Sequence, residues 1–281
     1  MENGFEIRKS MNQSNDYKFI REYLHDNFGL DLPEKLRPLT RSKLLSFSKK
    51  YEIKDWAGFL SDLKKGLNDK LIEDFIEIFI VGHTSFFRNC KQFDLLKKTI
   101  LPEVLSANSS NREIDLRIWS AGCSTGEEPY SILITLMEYF GENYNDITCG
   151  VLATDISQKS LSHASYGRYS NVKAGAKIKE YLAPYIRDID DETFEVKRSV
   201  RKESTFRKFN LAKEIYPFND RFHIIFCRNV FFYFSDQYRH QVQSKIVDSL
   251  DQGGYLFLGD AEKFDFEIYG LSRMGNGIYK K

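Results

Sequence analysis

The amino-acid sequence predicts an α/β protein with a doubly wound, Rossmann-like sheet, preceded by a small all-helical domain. From about residue 115 onward, strand-like and helical stretches alternate, which is typical of mostly parallel sheets. Before that point, apolar residues recur at helical spacing. Polar residues follow several predicted strands at their carboxyl ends, where sheets of this kind bind ligands.

The composition limits the classes of function. The 281 residues suffice for one large domain, or for one large and one small domain, and 42% of them are hydrophobic. The 41 basic and 40 acidic residues leave a formal net charge of +1. Because proteins that bind polyanions usually carry a basic excess, this balance gives no general case for a nucleic-acid partner.

The four cysteines and five histidines form no CxxC pair, no HExxH motif and no shared cluster. We therefore expect reduced thiols, no disulfide framework and no metal. The N-terminal sequence MENGFEIRKS carries charges where a signal peptide needs an apolar stretch, and no window reaches the ~20 apolar residues of a membrane span. These observations predict a cytoplasmic protein without membrane insertion.

Residues 1–15 form a polar leader, and residues 16–80 are predicted as an N-terminal helical domain of four helices. The second of these helices, from Leu39 to Lys50, lies in a basic stretch that includes Arg37, Arg41 and Lys43. Such a stretch is either a solvated helix face or a docking surface for an acidic protein partner.

Residues 81–114 are predicted as a linker with a connecting helix from Gln92 to Leu105, interrupted by Pro102. The α/β domain then covers residues 115–281. The alternation of predicted strands and helices ends after Gly167. Apolar and polar residues then alternate in two stretches, at 193–200 and 204–209, which predicts an inserted β subdomain at about 168–209. The last residues, 277–281, are expected to form an antiparallel edge strand.

The stretch LRIWSAGCSTGEEPYS, residues 116–131, combines a buried strand, a loop of small residues and a helix that begins with acidic residues. Gly122 and Gly126 can adopt positive φ or let a ligand approach the backbone. This combination is typical of a nucleotide-sized crevice, although an ordinary tight turn between a strand and a helix has the same pattern.

Further polar residues stand at predicted strand ends: Asp155 after the second strand, Asn210 after the inserted unit, and Arg228 with Asn229 after FHIIFC. A carboxylate in the position of Asp155 can accept from both ribose hydroxyls of NAD or of S-adenosylmethionine. The loop AGCSTGEE lacks GxGxxG, and its two carboxylates would repel a pyrophosphate but suit a cationic ammonium group. The residues therefore favour S-adenosylmethionine over NAD.

Six segments from about Thr84 to Tyr279 resemble, in content and order, the signatures of the CheR-type chemotaxis receptor methyltransferases. They are TSFFR, LRIWSAGCSTGEEPYSI, LATDIS, FNL, IFCRNVFFYF and GGYLFLG. The resemblance implies a Rossmann-like methyltransferase sheet with S-adenosylmethionine as methyl donor, S-adenosylhomocysteine as product, and no metal. It further implies methylation of glutamate side chains in the cytoplasmic domain of chemoreceptors (methyl-accepting chemotaxis proteins), which yields glutamate methyl esters for sensory adaptation.

The same resemblance implies the residues of the site. Those that would line the cofactor are Thr84, Arg88, Glu128, Asp155, Asn210, Leu211, Arg228 and Asn229, together with Gly122 from the small-residue loop. Arg88 and Tyr233 would lie nearest the methyl group as catalytic residues, with Arg88 orienting the substrate carboxylate. Taken singly, Arg88 suits a surface ion pair, Tyr233 suits core packing, Asp155 suits a helix cap, and the two asparagines suit turns.

The chain departs from the family at three places. Gly82 stands where the family often has asparagine, and GDAEKF replaces the family's GHSE, with Asp260 in place of histidine. The turn RDIDDET, residues 187–193, is acidic and lacks the glycine with which some members grip a receptor's C-terminal peptide. We therefore expect no such tether, and expect the basic second helix to be the main receptor-docking surface.

Two other classes of function stay open at this point. One is a catalytically silent module of the same fold that binds S-adenosylmethionine or a receptor without turnover. The other is a methyltransferase for nucleic acid or a small molecule, which the balanced charge and the lack of an Asn-Pro-Pro-aromatic box speak against.

Overall fold

The computed structural model describes residues 14–32, 37–66, 68–80, 82–107, 115–213 and 215–281. The chain divides into two compact units, Met1–Val81 with Phe232–His240, and Gly82–Phe231 with Gln241–Lys281. Most of the predicted polar leader, residues 1–13, lies outside the described residues, and the predicted connecting segment contributes residues 82–107 to the second unit. Among the described residues, none of the helices combines the length and apolar character that crossing a membrane requires.

The first unit is helical, as its apolar spacing predicts. Its helices are α1 (Ser14–Phe28), α2 (Arg37–Lys50), α3 (Trp56–Lys64) and α4 (Asp69–Ile76). Phe75 of α4 is fully buried, and its ring lies within 6.1 Å of the rings of Tyr23 and Trp56 from two other helices. Burial of these aromatic surfaces supplies the main stabilisation of the unit, because each ring removes a large apolar area from water.

Residues 232–240 join this helical unit through backbone hydrogen bonds. The N–H of Asp31 donates to the carbonyl of Tyr233 at 2.8 Å, and the N–H of Ser235 donates to the carbonyl of Gly29 at 3.1 Å. Leu30 and Phe234 form an isolated antiparallel bridge. Tyr233 is therefore held in the unit that contains α1.

The second unit contains the strands of the fold. They are β1 (Asp115–Ala121), β2 (Thr148–Asp155), β3 (Arg168–Ser170), β4 (Ile186–Asp188), β5 (Thr193–Val196), β6 (Ser204–Lys208), β7 (Phe222–Phe226), β8 (Leu250–Phe257), β9 (Ser272–Gly275) and β10 (Ile278–Lys280). Seven of them form one sheet in the order β6-β2-β1-β7-β8-β10-β9. The first five are parallel, and β10 and β9 add antiparallel pairs at one edge. This confirms the predicted doubly wound, mostly parallel sheet with an antiparallel edge strand. The edge is β9, however, whereas the prediction placed it at residues 277–281, which form β10 between β8 and β9.

The helices of this unit are α5 (Cys90–Leu95), α6 (Leu101–Ala107), α7 (Glu127–Phe140), α8 (Gln158–Tyr166), α9 (Asn171–Ala174), α10 (Ala176–Leu182) and α11 (Arg198–Arg201), with α12 (Asp236–Asp248) beginning in residues 232–240. β1 lies between β2 and β7, and Trp119 is in register with Leu152 and Ile225. The direction of strand connection reverses on either side of β1. The carboxyl end of β1 is therefore the topological switch point, where doubly wound sheets bind their ligands.

The structure corrects the assignment of one strand. The sequence prediction placed residues 204–209 in the inserted β subdomain, whereas β6 pairs in parallel with β2 and forms an edge of the large sheet. Its side chains are only partly covered, so this strand lacks the continuous apolar run that marks buried parallel strands. An alternating polar strand at a sheet edge and a strand of a small antiparallel unit have the same sequence pattern.

Two further boundaries differ from the prediction. The small sheet contains β3, β5 and β4 in that order, and its strand at 193–200 ends at Val196, where the chain turns into α11. The connecting helix predicted from Gln92 to Leu105 is two α-helices joined by the π-helical turn Leu96–Ile100. Pro102, which has no N–H to donate, is the second residue of α6 and follows the π-helical turn directly, in which the N–H of Leu101 donates to the carbonyl of Leu96.

Candidate active site

The loop between β1 and α7 is tied to the end of β2. The N–H groups of Gly122 and Cys123 both donate to the carbonyl of Thr154, at 2.7 and 2.9 Å. Gly122 has a φ of 81°, and a Cβ placed on it would lie 2.5 Å from a methyl carbon of Val230. Glycine is therefore required here both by the backbone conformation and by the close approach of the loop that follows β7.

Asp155, the last residue of β2, is only 8% exposed and holds two neighbouring segments. Its Oδ2 accepts from the N–H of Ser124 at 2.8 Å, and its Oδ1 accepts from the N–H of Ser157 at 2.9 Å. Ser157 is the N-cap of α8, and its hydroxyl accepts from the N–H of Ser160 at 2.9 Å. Because a carboxylate oxygen can accept two hydrogen bonds, these backbone contacts are compatible with a ligand hydroxyl at the same group.

Glu128 of α7 and Arg228, which follows β7, form a buried ion pair. Arg228 Nη1 lies 3.5 Å from Glu128 Oε2, and the two side chains are 3% and 12% exposed. The Ser120 hydroxyl donates to Glu128 Oε1 at 2.8 Å. Burial raises the pKa of Glu128, while Arg228 and the Ser120 hydroxyl act in the opposite direction. The charge of Glu128 is thus balanced inside the protein by Arg228, a pairing that the sequence does not predict.

Arg228 also joins the TSFFR segment to the sheet. Its Nη2 donates to the main-chain carbonyl of Arg88, and its guanidinium carbon lies 5.7 Å from the centre of the Phe93 ring. The side chain of Arg88 is exposed, and its Nη1 donates to the carbonyl of His83 at 2.8 Å. The structure therefore brings Arg88, Glu128 and Arg228 together, with Thr84, which is half-buried, four residues before Arg88.

Asn210 and Leu211 form a turn directly after β6. The side chain of Asn210 accepts from the N–H of Ala212 at 2.9 Å, which is the local contact of an asparagine turn. Leu211 is buried. Phe209 N–H donates to the main-chain carbonyl of Asp155 at 2.9 Å, so this turn lies beside the carboxyl end of β2.

The departures at Gly82 and Asp260 have structural counterparts. A Cβ at Gly82 would lie 2.5 Å from the Ser124 hydroxyl, so an asparagine here would require one of the two segments to shift. Within the described part of the chain, that buried hydroxyl has no hydrogen-bond partner. Both oxygens of Asp260 accept from the side-chain amide of Asn89 at 2.9 Å. The residue at the family's histidine position is therefore paired with the residue that follows Arg88.

The remaining predicted residues lie in the first unit. Tyr233 ends the 3-10 turn Phe231–Tyr233, and its ring is tilted against that of Phe232 at 4.6 Å. On α2, Arg41 and Lys43 are exposed, and Lys43 Nζ donates to the carbonyl of Ile78 at 2.9 Å. Arg37 begins α2, but its side chain lies outside what the structure describes.

One residue of this region escaped the sequence reasoning. Glu262 accepts from the backbone N–H groups of Asn229, Val230, Phe231 and Gly259 at 2.7–2.8 Å. Glu262 matches the glutamate of the family's GHSE segment, and that match was the available signal. Elsewhere, across the residues the structure describes, no three His, Cys, Asp or Glu side chains form a group that could hold a metal ion.

Comparison with known proteins agrees with this geometry. The family model of the CheR methyltransferase SAM binding domain matches residues 82–274. The chemotaxis protein methyltransferase of Borreliella burgdorferi is 34% identical over 261 residues, which cover 93% of this chain and 92% of that protein. The protein with the same name in Listeria innocua is 33% identical over 268 residues, covering 95% and 97%. The family model matches well over half of the chain and the relatives match nearly all of it, so this chain belongs to the CheR methyltransferase family.

Proposed function

We propose that this CheR methyltransferase, which uses S-adenosylmethionine and acts in chemotaxis, transfers the methyl group to glutamate side chains in the cytoplasmic domain of chemoreceptors. The products are glutamate methyl esters and S-adenosylhomocysteine. The observation that carries this proposal is the cluster at the switch point, where Arg228 joins the main chain of Arg88 to the carboxylate of Glu128. This cluster holds an exposed guanidinium beside a buried, charge-balanced site.

The residues at the carboxyl edge fit the cofactor. Asp155 offers carboxylate oxygens for ribose hydroxyls, and the Glu128–Arg228 pair offers one charge of each sign for the ammonium and carboxylate of the amino-acid part. The buried Ser124 hydroxyl, which lacks a partner among the described residues, adds a polar group to the same loop. When bound, the cofactor supplies a methyl group activated by its attachment to a sulfonium.

The acceptor chemistry fits Arg88. A glutamate with an ordinary pKa of about 4.3 is ionised at neutral pH, so the reaction needs no strong general base. The protein must instead align the carboxylate and remove part of its water. In this proposal the exposed guanidinium of Arg88 holds one carboxylate oxygen while the other attacks, and the Tyr233 hydroxyl assists.

Transfer of radiolabelled methyl groups to receptor-containing membranes tests the proposal. The expected product loses its label in mild alkali, because carboxyl methyl esters hydrolyse there and N-methyl groups do not. Alkali-stable label would point to a nitrogen acceptor and contradict the proposal. Absence of any label, with S-adenosylhomocysteine bound normally, would favour the catalytically silent module, which the presence of Arg88, Glu128 and Asp155 speaks against.

The basic helix α2, which carries Arg37, Arg41 and Lys43, is proposed as the receptor-docking element. Reversing two charges with Arg41→Glu and Lys43→Glu should raise the KM for receptor severalfold, because charge complementarity with glutamate-rich receptor helices is lost. The effect should weaken at high salt, and calorimetry should find unchanged affinity for S-adenosylhomocysteine. Lys18→Glu, an exposed charge reversal on α1, is the control for each of the two single variants, Arg41→Glu and Lys43→Glu. An unchanged KM at low salt would remove α2 from the docking surface.

A tether through the small sheet is not part of the proposal. In the turn between β4 and β5, Asp190 already accepts from the N–H groups of Glu192 and Thr193, and the turn is exposed and acidic. Such a turn should repel the C-terminal carboxylate of a receptor-tail peptide. Calorimetry with that peptide should give a Kd weaker than about 1 mM. Micromolar binding would show that the tether exists after all.

A further inference from the structure

The carboxylate of Glu262 gathers backbone donors from two loops. Its Oε1 accepts from the N–H groups of Val230 and Phe231, both at 2.7 Å. Its Oε2 accepts from Asn229 at 2.7 Å and from Gly259 at 2.8 Å. Three consecutive N–H groups that point into one concavity form an anion-binding nest. Here the anion is part of the chain itself.

The backbone N–H groups of these loops meet at a tight junction. Asn229 there has a φ of 60°, in the left-handed region that asparagine adopts more readily than other residues with a Cβ. A Cβ on Gly259 would lie 2.6 Å from the side-chain nitrogen of Asn229, so the loops after β7 and β8 are in close approach. Without Glu262, four N–H groups at this junction would lose their common acceptor.

The loop that Glu262 fixes carries the groups of the proposed site. Arg228, directly before the first donor, pairs with Glu128 and holds the carbonyl of Arg88. Val230, the second donor, occupies the space beside Gly122. A change in the backbone at 229–231 would therefore move both the ion pair and the neighbouring β1–α7 loop.

We infer that Glu262 is a positioning residue, whose carboxylate sets the backbone after β7 and thereby places Arg228 and the β1–α7 loop for binding of S-adenosylmethionine. It makes no contact with the reacting groups in this role. This inference rests on the proposed function only for its effect on receptor methylation. The affinity for S-adenosylhomocysteine measures the positioning role of Glu262 independently of that function.

The Glu262→Ala variant tests this role by opening the nest. Calorimetry should find about tenfold weaker binding of S-adenosylhomocysteine than in the wild type. Formate at millimolar concentrations should restore most of the affinity and raise the Tm of the variant, because a small carboxylate can accept from the same four N–H groups. Formamide, which has a similar size and no charge, should restore neither. Glu267→Ala, which removes an exposed acid nearby, should bind as the wild type does, with or without formate.

Each outcome bears on the inference. Wild-type affinity in a folded Glu262→Ala variant would overturn it, and so would weak binding that formate leaves unchanged, since Glu262 would then act only through packing. If Glu262→Ala does not fold, Glu262→Gln replaces it. The amide side chain of that variant would keep one acceptor oxygen for two of the four donors, so a folded variant with unchanged affinity would also overturn the inference. Failure of the wild type to methylate receptor would contradict the proposed function and leave these binding results intact.

Discussion

Replacing Arg228 with methionine should lower the free energy of unfolding by about 3–5 kcal/mol, because it leaves Glu128 as an unpaired charge in the interior. The same change removes the donor to the main-chain carbonyl of Arg88 and the guanidinium next to Phe93. Methionine fills much of the volume of the arginine side chain, so the loss reports charge and hydrogen bonding more than packing. Urea unfolding at pH 7 measures it.

The double variant Glu128→Gln with Arg228→Met is the matched control. With both charges gone, the penalty of an unpaired buried charge disappears, so the double variant should be clearly more stable than Arg228→Met alone. Equal stability of the single and double variants would contradict the pairing of these two side chains.

The destabilisation by Arg228→Met should also depend on pH. Burial raises the pKa of Glu128, and Arg228 opposes this rise, so its removal raises the folded-state pKa of Glu128 further. A carboxyl whose pKa is higher in the folded than in the unfolded protein lowers the free energy of unfolding as the pH rises. This loss begins near the unfolded-state pKa, about 4.3, and continues through the folded-state pKa. The difference in free energy of unfolding between wild type and Arg228→Met should therefore become smaller as the pH falls from 7 toward 5. A deficit that grows on acidification would contradict the assignment to Glu128.

Replacing Arg88 with alanine should lower kcat/KM for receptor methylation by about 100-fold or more, because the acceptor carboxylate loses the group that orients it. The Arg88 side chain is exposed and its hydrogen bond to the carbonyl of His83 is local, so stability should change little. The main-chain carbonyl that Arg228 uses remains in the variant. The assay is initial-rate methyl transfer to receptor, with Tm measured in parallel.

Arg88→Lys keeps the charge and serves as the control for Arg88→Ala. It should recover only part of the activity, since an ammonium cannot present the planar fork that a guanidinium offers to a carboxylate. Normal methyl transfer by a folded Arg88→Ala variant would remove Arg88 from the proposed mechanism.

The sequence predicts the sheet because its central strands are short apolar runs with helices between them, as in the stretch that contains Trp119. It fails at β6, since an edge strand is covered on few sides and alternates like a strand of a small antiparallel unit. It also fails to find the π-helical turn before Pro102, because the spacing of apolar residues does not distinguish one π-helical turn from the α-helical turns beside it. The spacing of apolar residues indicates which side chains are buried, whereas strand pairing depends on contacts between residues far apart in the chain.

Positions at strand ends indicate Asp155, Arg228 and Asn229 as site residues, because the carboxyl ends of parallel strands share one edge. The pairing of Glu128 with Arg228 is not readable from the sequence, since about 100 residues separate them and the neighbour relation of β1 and β7 is needed first. Glu262 escapes for a different reason. Its four partners are backbone N–H groups, which every residue except proline has, so no residue type marks them.

The most direct test of the proposed function is mass spectrometric mapping of methyl groups on a purified receptor cytoplasmic domain after incubation with the protein and S-adenosylmethionine. We predict that receptor peptides gain the mass of one CH2 on glutamate side chains, that mild alkali removes it, and that Arg88→Ala produces little of it. Methyl groups found only on nitrogen-bearing side chains, or equal methylation by Arg88→Ala and wild type, would contradict the account.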